Sequence, residues 1–326
     1  MSRATAIFAA LLALALPLSL LAGRVWLNPA EVPNTALILT ELRLPRALLA
    51  IIIGAGLGMA GAAMQGYLRN PLADPGLFGI APSAALGAVA ALWLGREAGF
   101  AAGTWAVPLF ALAGAGGAMA VLALIAGRTP PGLGRGIALF TLAGLMISSL
   151  AGALTALAIS LAPNAFVMSE IVLWLNGALT DRGWREVWLA APLVALGGAL
   201  LWQARDALDG LTLGGEVARS LGVDPRRLLW LLVAGVGLTV GAGVAVAGII
   251  GFVGLVVPHL VRPLTDERPS QLLLPSALAG ALLVLVADSV VRVLPLVVEL
   301  RLGIALSLVG APFFLWLLLR LRRGWA

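Results

Sequence analysis

The chain has 326 residues, 61% of them hydrophobic and 11% charged, with a formal net charge of +6 and a mean hydropathy of +1.05. That balance excludes the ordinary soluble classes and describes a polytopic membrane protein with no room for a separate soluble domain. The absence of cysteine excludes disulfides and thiolate metal sites. All the basic charge is arginine, standing singly or in pairs at the ends of apolar runs, which speaks for membrane orientation and against a nucleic-acid partner.

Apolar run length predicts an all-α chain of ten helices, at residues 5 to 24, 44 to 66, 76 to 94, 105 to 127, 137 to 160, 185 to 204, 228 to 248, 251 to 261, 271 to 293 and 302 to 320. The first run has a basic start at Arg3 but no small-x-small cleavage pattern before a hydrophilic segment, so it reads as a retained helix. Residues 25 to 42 read as a polar connection, and Pro163 to Thr180 as a short surface helix. The eighth helix is too short to cross unaided and must be buried by its neighbours or line a cavity. Forty glycines suit close helix contacts and broken helices.

With the amino terminus inside, Arg3, Arg128, Arg135, Arg205, Arg219, Arg226, Arg227, Arg262, Arg268, Arg320, Arg322 and Arg323 fall on the inner side, with Arg69 near a helix end. The smaller opposite set is Arg24, Arg43, Arg46, Arg96, Arg182, Arg185, Arg292 and Arg301. The bias puts both termini in the cytoplasm, and with them the polar interval 205 to 227.

Four stretches break the lipid-facing pattern. The run from Leu44-Pro45-Arg46 through Gln65, Arg69, Asn70 and Pro71 to Asp74 ends in a broken or tightly turned element. It reads either as a local turn satisfied by Asn70 and Asp74 or as the lower end of a pathway. The interval 205 to 227 is a docking surface, in which Gly214, Gly215, Glu216, Val217, Ala218, Arg219, Ser220 and Leu221 form a short amphipathic helix ended by Gly222. Asp224 caps the helix that begins at Pro225. Gly248 to Arg262 holds the only histidine, His259, just after Pro258; capping of the short helix is the expected role, and proton coupling the alternative. A lone histidine makes no metal site. The last cluster combines Asp288, Arg292, Glu299 and Arg301; Asp288 and Arg292 are four apart and compensate each other on one helix face, while Arg43, Arg46 and Arg292 make a basic rim suited to an acidic protein partner. No phosphate loop, His-Glu-x-x-His or Gly-x-Ser-x-Gly pattern occurs, so no catalytic residue is expected.

Leu44-Pro45-Arg46, the Gln65 to Pro75 segment, Gly248 to Arg262, Leu273-Leu274-Pro275, Ala287-Asp288, Glu299 and Gly310-Ala311-Pro312-Phe313-Phe314 together resemble the membrane permeases of type II ABC importers for iron complexes, haem and cobalamin. The resemblance covers nearly the whole chain. It implies one ten-helix permease domain over residues 1 to 326, a second copy around a central pathway, two cytoplasmic ABC ATPases, a periplasmic substrate-binding protein and a place in the bacterial inner membrane. No cofactor is bound directly; ATP is required by the partner subunits. On this resemblance Gly214, Gly215, Glu216, Ala218, Arg219, Leu221 and Gly222 contact the ATPase, and Arg43, Arg46 and Arg292 receive acidic residues of the binding protein. Gln65, Arg69, Asn70, Pro71, Pro258 and His259 belong to a pathway or structural motif. Haem is the expected cargo, because the apolar lumen commits few polar groups; ferric siderophores and cobalamin are the alternatives. An ion-coupled secondary transporter is the competing class. Two departures stand out: Arg301 occupies a position where the family has proline, and Pro82-Ser83-Ala84 replaces a glycine-containing polar run.

Overall fold

A computed structural model of the chain describes residues 2–23, 26, 34–95, 105–127 and 133–323. Among them every regular element is helical, as expected where backbone groups find no water and must pair within their own segment. Arg24, Arg96 and Arg128 lie outside the described residues, as does most of the connection from residue 25 to 33.

Among the described residues eight helices are long and apolar enough to cross a membrane. They are α1 (Arg3–Leu21), the rod Thr35–Leu68, α5 (Ala106–Gly127), α6 (Leu133–Ser160), α8 (Trp184–Gln203), α11 (Pro225–Ala247), α13 (Pro269–Val293) and α14 (Leu302–Arg323). The rod comprises α2 (Thr35–Leu37), a π-helical stretch Ile38–Arg43 and α3 (Leu44–Leu68). Residues 35 to 42 therefore extend the second helix instead of forming a polar connection. Two predicted spans are shorter: α4 (Ile80–Gly95), preceded by a 3-10 turn, and α12 (Val253–Val261). With these two, each of the ten predicted helices has a counterpart. The expected surface helix is α7 (Ala165–Leu175), with Asn164 accepting the Val167 N–H at 2.9 Å as its cap.

The core is built on α3, α11 and α13, while α1, α5, α6, α8 and α14 keep wide apolar faces exposed. Small residues let α3 and α13 meet backbone to backbone: a Cβ added to Gly54 would enter the Gly280 carbonyl, and one on Gly58 the Ser276 carbonyl. Close approach of this kind gathers dispersion contacts where lipid removes the hydrophobic advantage of association.

Two backbone hydrogen bonds join non-helical segments inside the bundle. Ala178 N–H donates to Ala247 O at 2.8 Å, and Gly303 N–H to Gly177 O at 3.1 Å, joining the α7–α8 connection to the end of α11 and the start of α14. Gly248, at φ 73°, turns the chain out of α11 with its Cα against the Trp174 carbonyl, where a side chain would clash. α12 starts immediately beyond this junction, surrounded by protein, as its length demands.

At the opposite end of α8, the polar interval folds as two short helices, α9 (Arg205–Thr212) and α10 (Gly215–Ser220). α10 ends as its glycine predicts. Gly222 N–H donates to Arg219 O at 2.8 Å and Val223 N–H to Ala218 O at 3.0 Å, with Gly222 at φ 86°. Asp224 then accepts the Arg226 N–H at 2.9 Å and starts α11 at Pro225.

Candidate functional site: an ion-pair cluster and a docking ledge at opposite ends of the bundle

Four charged side chains meet where α3 begins and α13 ends. Asp288 sits near the last turn of α13 and takes Arg46 of α3 through both oxygens: Nε lies 3.0 Å from Oδ1 and from Oδ2, and Nη2 lies 2.8 Å from Oδ1. Arg46 Nη2 also donates to Glu299 Oε1, on the segment between α13 and α14, and that same oxygen accepts the Thr180 hydroxyl at 3.1 Å. Arg292, one turn beyond Asp288, forms an ion pair with its Oδ2 at 3.1 Å. Its Nη2 donates to the Ser19 carbonyl at 3.1 Å and hydroxyl at 2.8 Å, bringing in α1.

Two guanidinium groups thus face two carboxylates, and the cluster is neutral. The side chains of Arg46, Asp288 and Arg292 are 12%, 1% and 8% exposed. Removing Asp288, the buried partner of both arginines, leaves uncompensated buried charge and costs about 3–5 kcal/mol. Burial opposes the charge on Glu299, yet the hydrogen bond and the positive charge of Arg46 hold its carboxyl below the ordinary value. The mutual compensation of Asp288 and Arg292 is present as the spacing predicts. The open basic rim is not: Arg46 and Arg292 are internally paired, and Arg43 donates from Nη1 to Leu20 O at 2.8 Å and Ala22 O at 3.2 Å at the end of α1. The sequence places Asp288, Arg292 and Glu299 in one charged stretch, but not against Arg46, Thr180 and Ser19, which the fold brings from elsewhere.

α13 connects this cluster with the polar ledge. Its first turn is held by Asp209 of α9, whose Oδ1 accepts the Ser270 N–H at 2.8 Å and whose Oδ2 accepts the Ser270 hydroxyl at 2.5 Å. From Ser270 to Asp288 the helix rises roughly 27 Å, close to the thickness of a bilayer's hydrocarbon core. Sequence reading placed Asp209 in the polar interval without this role. The available signal was Arg268 at the N-cap position, which has no side-chain acceptor for the orphan N–H groups of α13.

The ledge encloses an open cavity of about 670 Å³, lined by Gln203, Asp206, Asp209, Leu213, Leu221 and Arg227 among others. Leu213 and Leu221 are exposed on it, as are Glu216, Val217, Arg219 and Gly222. Gly214 and Gly215 are half-buried at the start of α10, while Ala218 is fully buried and packs the short helix down. The predicted docking residues therefore divide into an exposed face and a buried support.

Gln65 and Arg262 form a third contact. Gln65 Nε2 donates to Leu255 O at 3.2 Å, and its Oε1 accepts Arg262 Nη2 at 3.1 Å, tying the end of α3 to α12 and the turn after it. Beyond Gln65 the chain makes a local turn, the simpler of the two expectations. Arg69 takes φ 50°, Asn70 Oδ1 accepts the Leu72 N–H at 2.9 Å and Asp74 Oδ1 accepts that of Gly76 at 2.6 Å. Arg69, Asn70 and Pro71 are exposed there.

Capping by His259 is not observed. Its Nδ1 has no hydrogen-bond partner and its ring lies edge-on to Phe313, with centroids 6.4 Å apart. The chain continues past His259 into the 3-10 turn Arg262–Leu264, where Thr265 N–H and hydroxyl satisfy the Arg262 carbonyl. Pro258 is buried in the same helix. Among the described residues no group of three His, Cys, Asp or Glu side chains is placed to hold a metal.

Residues 11–320 match the family model of the FecCD transport family. The chain belongs to that family. Relatives include the vitamin B12 import system permease protein BtuC of Escherichia coli O9:H4 (strain HS), 39% identical over 96% of this chain and 94% of the relative. The protein of the same name from Shigella flexneri is 38% identical over the same shares. A solved chain described as an inward-facing conformation of a metal-chelate type ABC transporter superposes with a TM-score of 0.86, at 29% identity, covering 97% of this chain and 98% of that one. The chain is accordingly a permease component of an ABC importer with the type II importer fold. Those relatives are named for vitamin B12, one of the two alternatives to haem, and neither name mentions haem.

Proposed function

We propose that two copies of this chain form the inner-membrane pathway of a binding-protein-dependent importer for cobalamin or a closely similar corrinoid, driven by two separate cytoplasmic ATPases. The observation that carries the reading is near-complete alignment with vitamin B12 permeases at 39% identity. The ledge formed by α9 and α10 then receives the ATPases, with Val217, Leu221 and Gly222 in its exposed face, and both termini share its cytoplasmic side. Arg43, Arg46 and Arg292 stand at the outer end, where the binding protein delivers cargo.

Alternating access needs a connection between the two ends. α13 is suited to that task because Asp209 grips its first turn, Asp288 holds its last turns, and glycine packing joins it to α3. A displacement of the ledge is thereby passed to the outer cluster. Acidic groups of a binding protein would compete with Asp288 and Glu299 for Arg46 and Arg292, exchanging internal ion pairs for intermolecular ones.

The test is uptake into proteoliposomes containing the permease and its ATPase, with loaded binding protein outside. ATP-dependent accumulation of cobalamin in preference to haem and ferric siderophores supports the reading. Preference for a ferric siderophore would shift the cargo to a metal chelate of that class, and transport without ATPase or binding protein would reject the mechanism itself.

A further inference from the structure

At the same end as the ion-pair cluster, a separate cavity of about 250 Å³ opens between α4, α5, α7, α8 and α11. Its volume is several times a water molecule's share of about 30 Å³. The wall contains Glu170 and Trp174 of α7, Arg182 of the α7–α8 connection, and Arg185 and Glu186 of α8. Arg185 lies 4.3 Å over the Trp105 ring, and Glu186 Oε2 accepts the Gly183 N–H at 2.8 Å. Arg182 and Glu170 have no such employment. Both are half-buried, neither forms a hydrogen bond or an ion pair among the described residues, and they are too far apart to pair with each other. Burial lowers the pKa of Arg182 by more than the nearby carboxylates of Glu186 and Asp181 raise it, so the cation is poorly solvated and only partly compensated.

A guanidinium presents five donors in a planar fork suited to phosphate, and a carboxylate offers acceptors to an ammonium. A cation and an anion held apart in one cavity, neither in a hydrogen bond or an ion pair, match a ligand carrying both charges. Tryptophans identify its source: Trp174 lines the cavity, Trp105 carries Arg185 on its ring, and Trp184 stacks with the exposed Trp188 one turn along α8. Such a group marks the depth of a membrane–water interface, where lipid headgroups lie. We infer that this cavity binds the headgroup of a membrane phospholipid bearing a phosphate and a free ammonium, of the phosphoethanolamine type, with Arg182 taking the phosphate and Glu170 the ammonium. The site is independent of the cargo proposed above.

The experiment uses the full chain in nanodiscs made from equal parts of phosphatidylethanolamine, phosphatidylcholine and phosphatidylglycerol with identical acyl chains. Lipids retained by the protein are counted by native mass spectrometry. Phosphatidylethanolamine should be enriched over phosphatidylcholine by about tenfold, as the loss of one charge-assisted hydrogen bond implies. Arg182→Gln should abolish retention, while Glu170→Gln should remove the preference for the ethanolamine headgroup yet keep phosphate-dependent retention. Glu170→Gln keeps the test decisive should Arg182→Gln fail to fold. Absence of enrichment, or enrichment unchanged in both variants, would overturn the proposal. So would displacement of the lipid by millimolar soluble glycerophosphoethanolamine, which would make this a site for a soluble zwitterion, or protection of Arg182 only by added binding protein, which would make it a protein contact.

Discussion

Asp209 holds Ser270 through both carboxylate oxygens, one on its backbone N–H at 2.8 Å and one on its hydroxyl at 2.5 Å, so the polar ledge supplies the cap that α13 lacks in its own sequence. Replacing a helix cap by alanine costs about 0.5–2 kcal/mol. Asp209→Ala should therefore leave the protein folded, with a modestly lower melting temperature, and reduce ATP-dependent cargo uptake more than ATP hydrolysis by the assembled complex. Parallel losses of uptake and hydrolysis would argue against α13 as the connecting element.

Asp288 and Glu299 should contribute unequally. Asp288 is 1% exposed and faces two arginines, whereas Glu299 is 24% exposed and receives Arg46 and Thr180. Asp288→Ala is expected to destabilise the detergent-solubilised chain by about 3–5 kcal/mol. Glu299→Gln should cost about 1 kcal/mol or less, as befits a partly solvated pair. Thermal unfolding followed by intrinsic tryptophan fluorescence ranks the two, and the reverse order would refute the neutral-cluster account.

The pH dependence of Glu299 has a defined sign. Its carboxyl is held below the ordinary value of 4.5, so its stabilising contribution is complete above that value and disappears as the pH falls through the folded-state value. The stability gap between wild type and Glu299→Gln should be constant from neutral pH down to about 5 and close below 4.5. A gap that widens on acidification would contradict the assignment.

Two alanine substitutions separate close packing from ordinary helical glycine. At Gly58 a Cβ meets the Ser276 backbone, while at Gly116 it meets nothing within 4 Å. Gly58→Ala should destabilise by about 1–3 kcal/mol through overpacking. Gly116→Ala should be neutral or stabilise by up to about 1 kcal/mol through helix propensity. Equal effects would mean that α3 and α13 have room to separate.

Leu221 is exposed on the ledge and Ala218 is buried beneath it. Leu221→Asp should abolish co-purification of the ATPase while leaving the melting temperature of the free permease within about 0.5 kcal/mol of wild type in equivalent stability. Retained association would relocate the docking surface.

The hydropathy pattern alone carried the membrane class and the positions of the ten apolar helices, eight because a bilayer imposes its thickness on each span and α4 and α12 because apolar runs bounded by proline and glycine mark even short helices. Gly222 and Asp224 announced how the ledge ends, since caps and αL turns are satisfied within a few residues. Asp288 with Arg292 was equally legible, being one turn apart on a single helix. His259 was misread as a cap because the sequence does not reveal that Thr265 already serves the carbonyl beyond it.

Pairing between distant residues was decided only by the fold. Arg46 and Asp288 are separated by 242 positions, Arg46 and Glu299 by 253, and Asp209 and Ser270 by 61. No local periodicity encodes such encounters, which depend on how α3, α9 and α13 pack. The free sequence supplied charges and a basic rim; packing placed acids against two of those arginines and carbonyl groups against the third, because a charge withdrawn from water must find a partner wherever the helices bring one.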